Sequence, residues 1–393
     1  MMNSIIDDQS LASAGLVRMQ WFRERMPLIT EVNQLFQEQQ VLKGMTIAIS
    51  MHIEPKTGFW VEGLLASGAA HIYLVGCLGT TKKDTAAYLA SLPNVTVLAK
   101  EGDRYDDHKR YLQMVMEHKI DLFLDNGASL ILAHDELKPD WNPIGANEET
   151  RTGRLLIEKS GVQPDYPVIV IDDSPLKQTF ENALGVGQSV VDGFMRTTSL
   201  LVGGKKVLVV GYGYCGSGIA KKFRGLGAIT LVYDMNPVNL LNAKTDGHWV
   251  GELHELIPEA DVIITATGSF NVITEQHIPY FKEKVILANS GHYGFEINVE
   301  EIKQASQSVE VVKEGIERIT FAEKSIYLLH HANPLNLAGA DGNPIEIMDM
   351  GFALISYSAY RIITNAESLQ HGLQPVPKDI DSQVSKLFMN SIQ

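Results

Sequence analysis

Residues 205–234, KKVLVVGYGYCGSGIAKKFRGLGAITLVYD, constrain the fold more than any other stretch, because they describe a strand, a glycine turn, a helix and a second strand ending in an acid. Positions 205–210 are the apolar run of a buried parallel strand, and Gly211, Gly213 and Gly216 follow with the spacing G-x-G-x-x-G. The first glycine permits the tight turn, the second lets backbone N–H groups reach a pyrophosphate, and the third lets the helix lie close to the strand. Asp234 closes the second strand and can accept hydrogen bonds from both ribose hydroxyls of an adenosine half. A 2′-phosphate would meet a like charge there, so NAD is expected rather than NADP. Tyr214 and Cys215 open the helix whose amides face the cofactor; their side chains, like that of Tyr212, read as packing groups.

A length of 393 residues suits two domains, and 45% hydrophobic with 20% charged residues is ordinary for a soluble globular protein. The formal charge of −14 argues against a nucleic-acid partner, which would call for a basic face. Cys77 and Cys215 offer no disulfide framework and no zinc-binding spacing, so no metal is expected and a reducing cytoplasm fits best. The start, MMNSIIDDQS, lacks a basic segment and an apolar core, and no run reaches about 18 apolar residues, so neither secretion nor a membrane span is indicated.

Along the chain, residues 1–43 read as helical and strands are expected at 44–51, 71–77, 95–100, 121–125 and 166–172, with helices between them. That alternation predicts a first parallel α/β layer. A helical stretch at about 179–201 leads into the glycine-turn strand, and further strands are expected near 260–267 and 284–289. The segment after Asn336 has helical spacing and is expected to cross back to the first domain. Two α/β domains with parallel sheets result: residues 1–184 with 345–393 for substrate, and 185–344 as a Rossmann NAD-binding domain. Polar clusters fall at strand ends, where open sheets bind ligands: 51–57, 125–127, 172–174 with Lys177, 265–269 and 289–292. Each alone reads equally as a turn; together they point to a cleft between the domains.

Taken in order, these motifs resemble the S-adenosylhomocysteine hydrolase family over nearly the whole chain. The resemblance rests on Met51-His52 with Thr57, Asn147-Glu148-Glu149-Thr150-Arg151-Thr152-Gly153, Asp173-Ser174 with Lys177, Gly187-Gln188-Ser189 with Asp192-Gly193, the GYGYCGSG turn, Thr267-Gly268, Asn289-Ser290-Gly291-His292-Tyr293 and Asn336-Leu337-Ala338-Gly339. It implies that bound NAD⁺ oxidises a ribose 3′-hydroxyl to a ketone, which acidifies the C4′ hydrogen. Loss of that proton expels a thiolate, water adds, and the hydroxyl is restored. Carried over by position, Lys177 assists 3′-hydroxyl deprotonation, Glu149 and Glu181 hold the ribose, His52 serves acid–base transfer near the 5′ position, and His292 lies beside the 3′ oxygen. Thr150, Thr152, Asp234, Asn239, Thr267, Ser290 and Asn336 would hold NAD.

Departures from the family gather in the substrate site. Asn126 stands where the resemblance implies an aspartate base, and an amide cannot take a proton as a carboxylate does. The segment Asp172-Asp173 replaces Asn-Asp, and Glu181 replaces a ribose-binding aspartate. Glu54 and Lys56 occupy the adenine-reading segment, Lys56 in place of an adenine-contacting Glu or Gln, and Gly342-Asn343-Pro344 replaces Gly-His-Pro. With Met348, these residues form an expected base pocket whose base need not be adenine. The family's terminal Lys–Tyr tail has no counterpart before Gln393, so a homo-oligomer is expected as a dimer more readily than a tetramer. The leading expectation is an NAD-dependent adenosylhomocysteinase-like enzyme acting on a nucleoside or nucleoside thioether. An NAD-dependent nucleoside oxidoreductase or epimerase without thioether cleavage, and a catalytically silent NAD-binding regulator, stay open.

Overall fold

The computed structural model describes residues 2–292 and 294–392. It divides into two units, 1–177 with 345–393, and 178–344. The unit boundaries fall at Lys177/Gln178 and Pro344/Ile345, where 184/185 and 344/345 were expected.

In the first unit, β1 (Thr46–Met51), β2 (His71–Gly76), β3 (Val95–Leu98), β4 (Leu122–Asp125), β5 (Gly145–Glu148) and β6 (Pro167–Val170) are joined by a seventh strand, Gly372–Pro375. All pairings are parallel, in the order Gly372–Pro375, β6, β5, β4, β1, β2, β3. The chain leaves β1 toward β2 and β3, then returns to place β4 on the other side of β1. The switch point lies between β1 and β4, and in open α/β sheets that is where ligands bind, beyond the strand ends. His52 and Asn126 are the first residues past those two ends.

The second unit holds β7 (Lys206–Val210), β8 (Ile229–Tyr233), β9 (Trp249–Val250), β10 (Val262–Thr265), β11 (Ile286–Asn289), β12 (Ser308–Lys313), β13 (Ile316–Thr320) and β14 (Ser325–Leu329). Their order is β12, β13, β14, β11, β10, β7, β8, β9. Val207 and Val209 pack on one face with Phe194 and Phe223, Leu208 and Val210 on the other with Ile263 and Leu287, so the sheet is buried on both sides as parallel sheets require. The Rossmann domain is present, but its sheet is not wholly parallel, because β13 runs antiparallel to both of its neighbours, β12 and β14.

Other expectations shift locally. Residues 2–8 are not helical; Ile5 bridges to Leu98 beside β3. The expected single helix at 179–201 is a π-helix, Lys177–Gly185, followed by an α-helix, Val186–Thr198. The helix Ile345–Asn365 does return to the first unit, where Asp349 accepts from the backbone N–H groups of Leu28 and Ile29 at 2.9 and 2.8 Å and Ser356 accepts from the Trp60 indole. Among the described residues, no helix is long and apolar enough to cross a membrane.

Candidate active site and cofactor turn

At the switch point of the first sheet, three side chains form one buried chain of hydrogen bonds. Asn126 donates through Nδ2 to Glu149 Oε2 at 2.6 Å, and Lys177 donates through Nζ to Glu149 Oε1 at 2.7 Å. Burial opposes ionisation of Glu149, but the adjacent Lys177 charge and hydrogen bond, with that of Asn126, outweigh it and hold the carboxyl below its usual range. The amide is a fixed donor at a place where a second carboxylate would need a shared proton.

Beneath this chain lies a scaffold that sequence reasoning missed. Gly127 and Ala128 are both left-handed, at φ 82° and 59°, and for alanine that geometry costs about 1–2 kcal/mol. Glu148 offsets it by accepting from Gly127 N at 3.1 Å and Ala128 N at 2.8 Å, as well as from the Thr150 amide and hydroxyl. Asp125 accepts from the amides of Asn126, Leu130 and Ile131, which anchors the following helix. Burial pushes both carboxyls up, and the Asp125 charge adds to the effect at Glu148. Glu148 was visible only as the neighbour of Glu149 in an apolar-poor strand, so nothing in the sequence marked it as the brace.

His52 is half-buried past β1; its Nδ1 lies 2.8 Å from Thr80 Oγ1, and its carbonyl accepts from the Thr57 hydroxyl at 2.7 Å. Burial pushes the imidazole down to about 4, Glu149 opposes the shift, and Lys177 adds to it. Glu54 caps the next helix by accepting from Lys56 N, and its Oε2 lies 2.8 Å from Lys56 Nζ. Both side chains are nearly sealed, at 3% and 1% exposed, and Lys56 Nζ also lies over the Phe22 ring. Met348 is half-buried on the helix Ile345–Asn365 of this same unit.

In the second unit, Gly211 has φ 101° and a side chain there would meet the Ala266 carbonyl at 2.6 Å. Gly216 approaches Gly211 so closely that a Cβ would lie 1.9 Å from the Gly211 carbonyl oxygen, whereas a Cβ on Gly213 would meet nothing within 4 Å. Gly213 heads the helix Tyr214–Gly225 without any side-chain cap. Open space before uncapped helix amides fits a pyrophosphate. Asp234 receives the Tyr212 amide on Oδ2 at 2.6 Å, the Asn236 amide on Oδ1 at 2.7 Å and the Asn239 amide group at 3.0 Å. Across the β7–β10 switch point, Glu296 grips Thr267 N, Thr267 Oγ1 and Gly268 N, a brace analogous to Glu148 and likewise missed from sequence. The Ser290 hydroxyl oxygen is buried with no hydrogen-bond partner among the described residues, an orphan that a bound polar group would satisfy. Asn336 is buried in the short helix Leu335–Ala338, and Cys215 is half-buried while Tyr214 is exposed.

The remaining expected site residues fall as follows. The Thr150 hydroxyl is committed as a helix cap, accepting from Gly153 N while donating to Glu148, and Thr152 is half-buried on the first turn of that helix. Glu181 is buried on the π-helix that begins at Lys177, and His292 is half-buried after β11; Tyr293 lies outside the described residues. Asn343 belongs to the second unit, where its Oδ1 accepts from Ser189, and not to the unit that carries Glu54 and Lys56.

The family S-adenosyl-L-homocysteine hydrolase, NAD binding domain, matches residues 182–342. Over 98% of the chain and 92% of the relative, the sequence is 37% identical to the S-inosyl-L-homocysteine hydrolase of Methanopyrus kandleri. It is 34% identical to the protein of that name from Methanocaldococcus jannaschii, over 98% of the chain and 94% of the relative. It is 35% identical to the adenosylhomocysteinase of Thermoplasma acidophilum, over 95% and 93%. The chain therefore belongs to the S-adenosyl-L-homocysteine hydrolase family. It is an NAD-dependent enzyme of the hydrolase type.

Proposed function

We propose that the enzyme hydrolyses the thioether of S-inosyl-L-homocysteine in preference to that of S-adenosyl-L-homocysteine. The observation that carries this reading is Lys56. In the resemblance drawn above, its position belongs to an adenine-contacting Glu or Gln, which can accept from the exocyclic amino group. An ammonium only donates. Reversing the polarity of that contact asks for the reverse on the base, and the oxygen at C6 of hypoxanthine supplies it. Hypoxanthine also turns N1 from an acceptor into an N–H donor, for which the neighbouring Glu54 carboxylate is the matching acceptor. The 2.8 Å ion pair holds the two heads side by side in a sealed place, ready for a base with complementary groups.

When bound, NAD supplies the reversible oxidation of a ribose hydroxyl. Gly213 and the amides of the helix Tyr214–Gly225 would hold its pyrophosphate, and Asp234 its adenosine ribose. The chain's own side chains would then orient the substrate ribose: Glu149 accepts from its hydroxyls, and Lys177 holds and moves the 3′ proton. Release of homocysteine, followed by thiol assay, tests the reading. We expect kcat/KM for the inosyl substrate to exceed that for the adenosyl substrate by about 10² or more, since a site built for one hydrogen-bonding pattern rejects its inverse. Equal turnover of both, or a preference for the adenosyl thioether, overturns it.

A further inference from the structure

The site must accept a proton, yet most of its groups are unable to. Asn126 is an amide, and Glu149 is held ionised with Lys177 on one oxygen and Asn126 on the other. Glu148 and Asp125, although burial raises both, have each of their oxygens taken by the backbone amides they brace and present none to a substrate. The Cys77 thiol beside Asn126 is pushed well up by burial and by the surrounding carboxylates, so it stays protonated. Among the side chains around Asn126, His52 is left as a neutral base, and for a neutral imidazole the question is which nitrogen carries the proton.

Thr80 answers it. Its hydroxyl has one proton, and it lies 3.0 Å from the Cys77 carbonyl, which can only accept. With that proton committed, the 2.8 Å contact between Thr80 Oγ1 and His52 Nδ1 is a hydrogen bond only if Nδ1–H donates. The threonine is 3% exposed, the loop that carries it is tied to the His52 segment by Lys82 N on Ile53 O, and the Thr57 hydroxyl pins the His52 carbonyl. Both the ring and its partner are thereby held in register.

We propose that Thr80 is a positioning residue that fixes His52 as the Nδ1–H tautomer, making His52 Nε2 the proton acceptor that Asn126 cannot be. On the reading of the proposed function, the hydrogen at C4′ of the 3′-keto substrate is transferred to Nε2. The C4′–H electron pair becomes the C4′–C5′ double bond while the C5′–S bond breaks, and the thiolate leaves with that bond's pair. The imidazolium then returns its proton to the thiolate. Charge and protons balance within the pair of groups, and no further co-reactant is consumed.

Protein labelled with ¹⁵N in its histidine rings tests the tautomer without any substrate. His52 is assigned by comparison with His52→Gln, because the chain has 12 histidines. Wild type and Thr80→Ser are expected to show a protonated Nδ1 and an unprotonated Nε2, and Thr80→Val a shift of population to Nε2–H. In NAD-loaded enzyme given S-inosyl-L-homocysteine, Thr80→Val should still form NADH absorbance but lose C4′ hydrogen exchange with deuterated solvent by about 10²-fold, within the range of a general base. Thr80→Ser should stay within about threefold of wild type. An Nε2–H signal in the wild type, or unchanged tautomer and exchange in Thr80→Val, overturns the proposal. Failure of the substrate reading alone would instead leave the ring spectra as expected while the adenosyl thioether is turned over as well as the inosyl one or better.

Discussion

Asn126 Nδ2 and Glu149 Oε2 lie 2.6 Å apart, and with Lys177 on Oε1 each oxygen of this buried carboxylate carries a cationic or neutral donor. Asn126→Asp replaces the neutral donor with a like charge. Two carboxylates at such a distance do not both ionise, and one of the pair retains a proton to higher pH. The expected outcome is an acidic limb of the kcat/KM profile moved upward by about one pH unit or more, read from initial rates across pH 5–9.

The Lys177–Glu149 pair is sealed, so its parts are worth more together than alone. Lys177→Met leaves a buried carboxylate without its cation and should cost about 3–5 kcal/mol in denaturant unfolding, as should Glu149→Gln, which leaves the ammonium without its anion. The double variant Glu149→Gln with Lys177→Met should recover at least half of that loss, since no uncompensated charge remains. Additive losses would show that the two groups do not act as a pair.

Much of this architecture was legible because apolar strands and glycine turns signal themselves locally. Val207 to Val210 alternate onto two buried faces, and the turn at Gly211 needs its positive φ. The strand Gly145–Glu148 was hidden because GANE carries only one apolar side chain; its burial comes from the tertiary fold, with Asn147 donating to the Ile355 carbonyl. The outer β12 was missed because it is exposed along its whole length and so carries no core signal. Thr80 and Glu296 were invisible for another reason: each acts on a residue far from it in sequence, and only the closed sheet brings them together.

Asp349 supplies a pH test of the fold. Burial pushes it up to about 7, although two backbone N–H groups and the neighbouring Glu346 charge pull in opposite directions. Its folded pKa thus stands above the unfolded value near 4, so folding takes up a proton between those limits. Stability from this group is full below about pH 4, falls as pH rises toward 7 and is flat beyond. Asp349→Asn should flatten that decline, gaining on the order of a few kcal/mol over wild type at pH 8 relative to pH 5, as measured by urea midpoints at both pH values.

Asp234 fastens the glycine turn through the Tyr212 amide, and on the proposed reading it also takes the adenosine ribose. Asp234→Ala removes the acceptor for the ribose hydroxyls and the charge that repels a 2′-phosphate. Calorimetric titration should show NAD affinity lowered about tenfold and NADP binding improved, so that the gap between them narrows. Equal affinity for both cofactors in the wild type would remove the assignment.

Gly213 and Gly216 make a paired test of whether the turn is built for a ligand or only for itself. A methyl at Gly216 would meet the Gly211 carbonyl oxygen at 1.9 Å, so Gly216→Ala should disrupt helix–strand packing whether or not cofactor is present. A methyl at Gly213 meets no protein atom within 4 Å, and its backbone, at φ −75° and ψ −163°, is one that alanine adopts. Gly213→Ala should therefore leave the apo-protein's melting temperature within about 2 °C of wild type. Yet that methyl would stand where the pyrophosphate must approach the backbone, so NAD affinity should fall at least tenfold. Melting curves with and without NAD separate the cases, because cofactor binding raises the wild-type midpoint by mass action. A Gly213→Ala protein that retains the full NAD-induced rise would mean that the dinucleotide lies elsewhere.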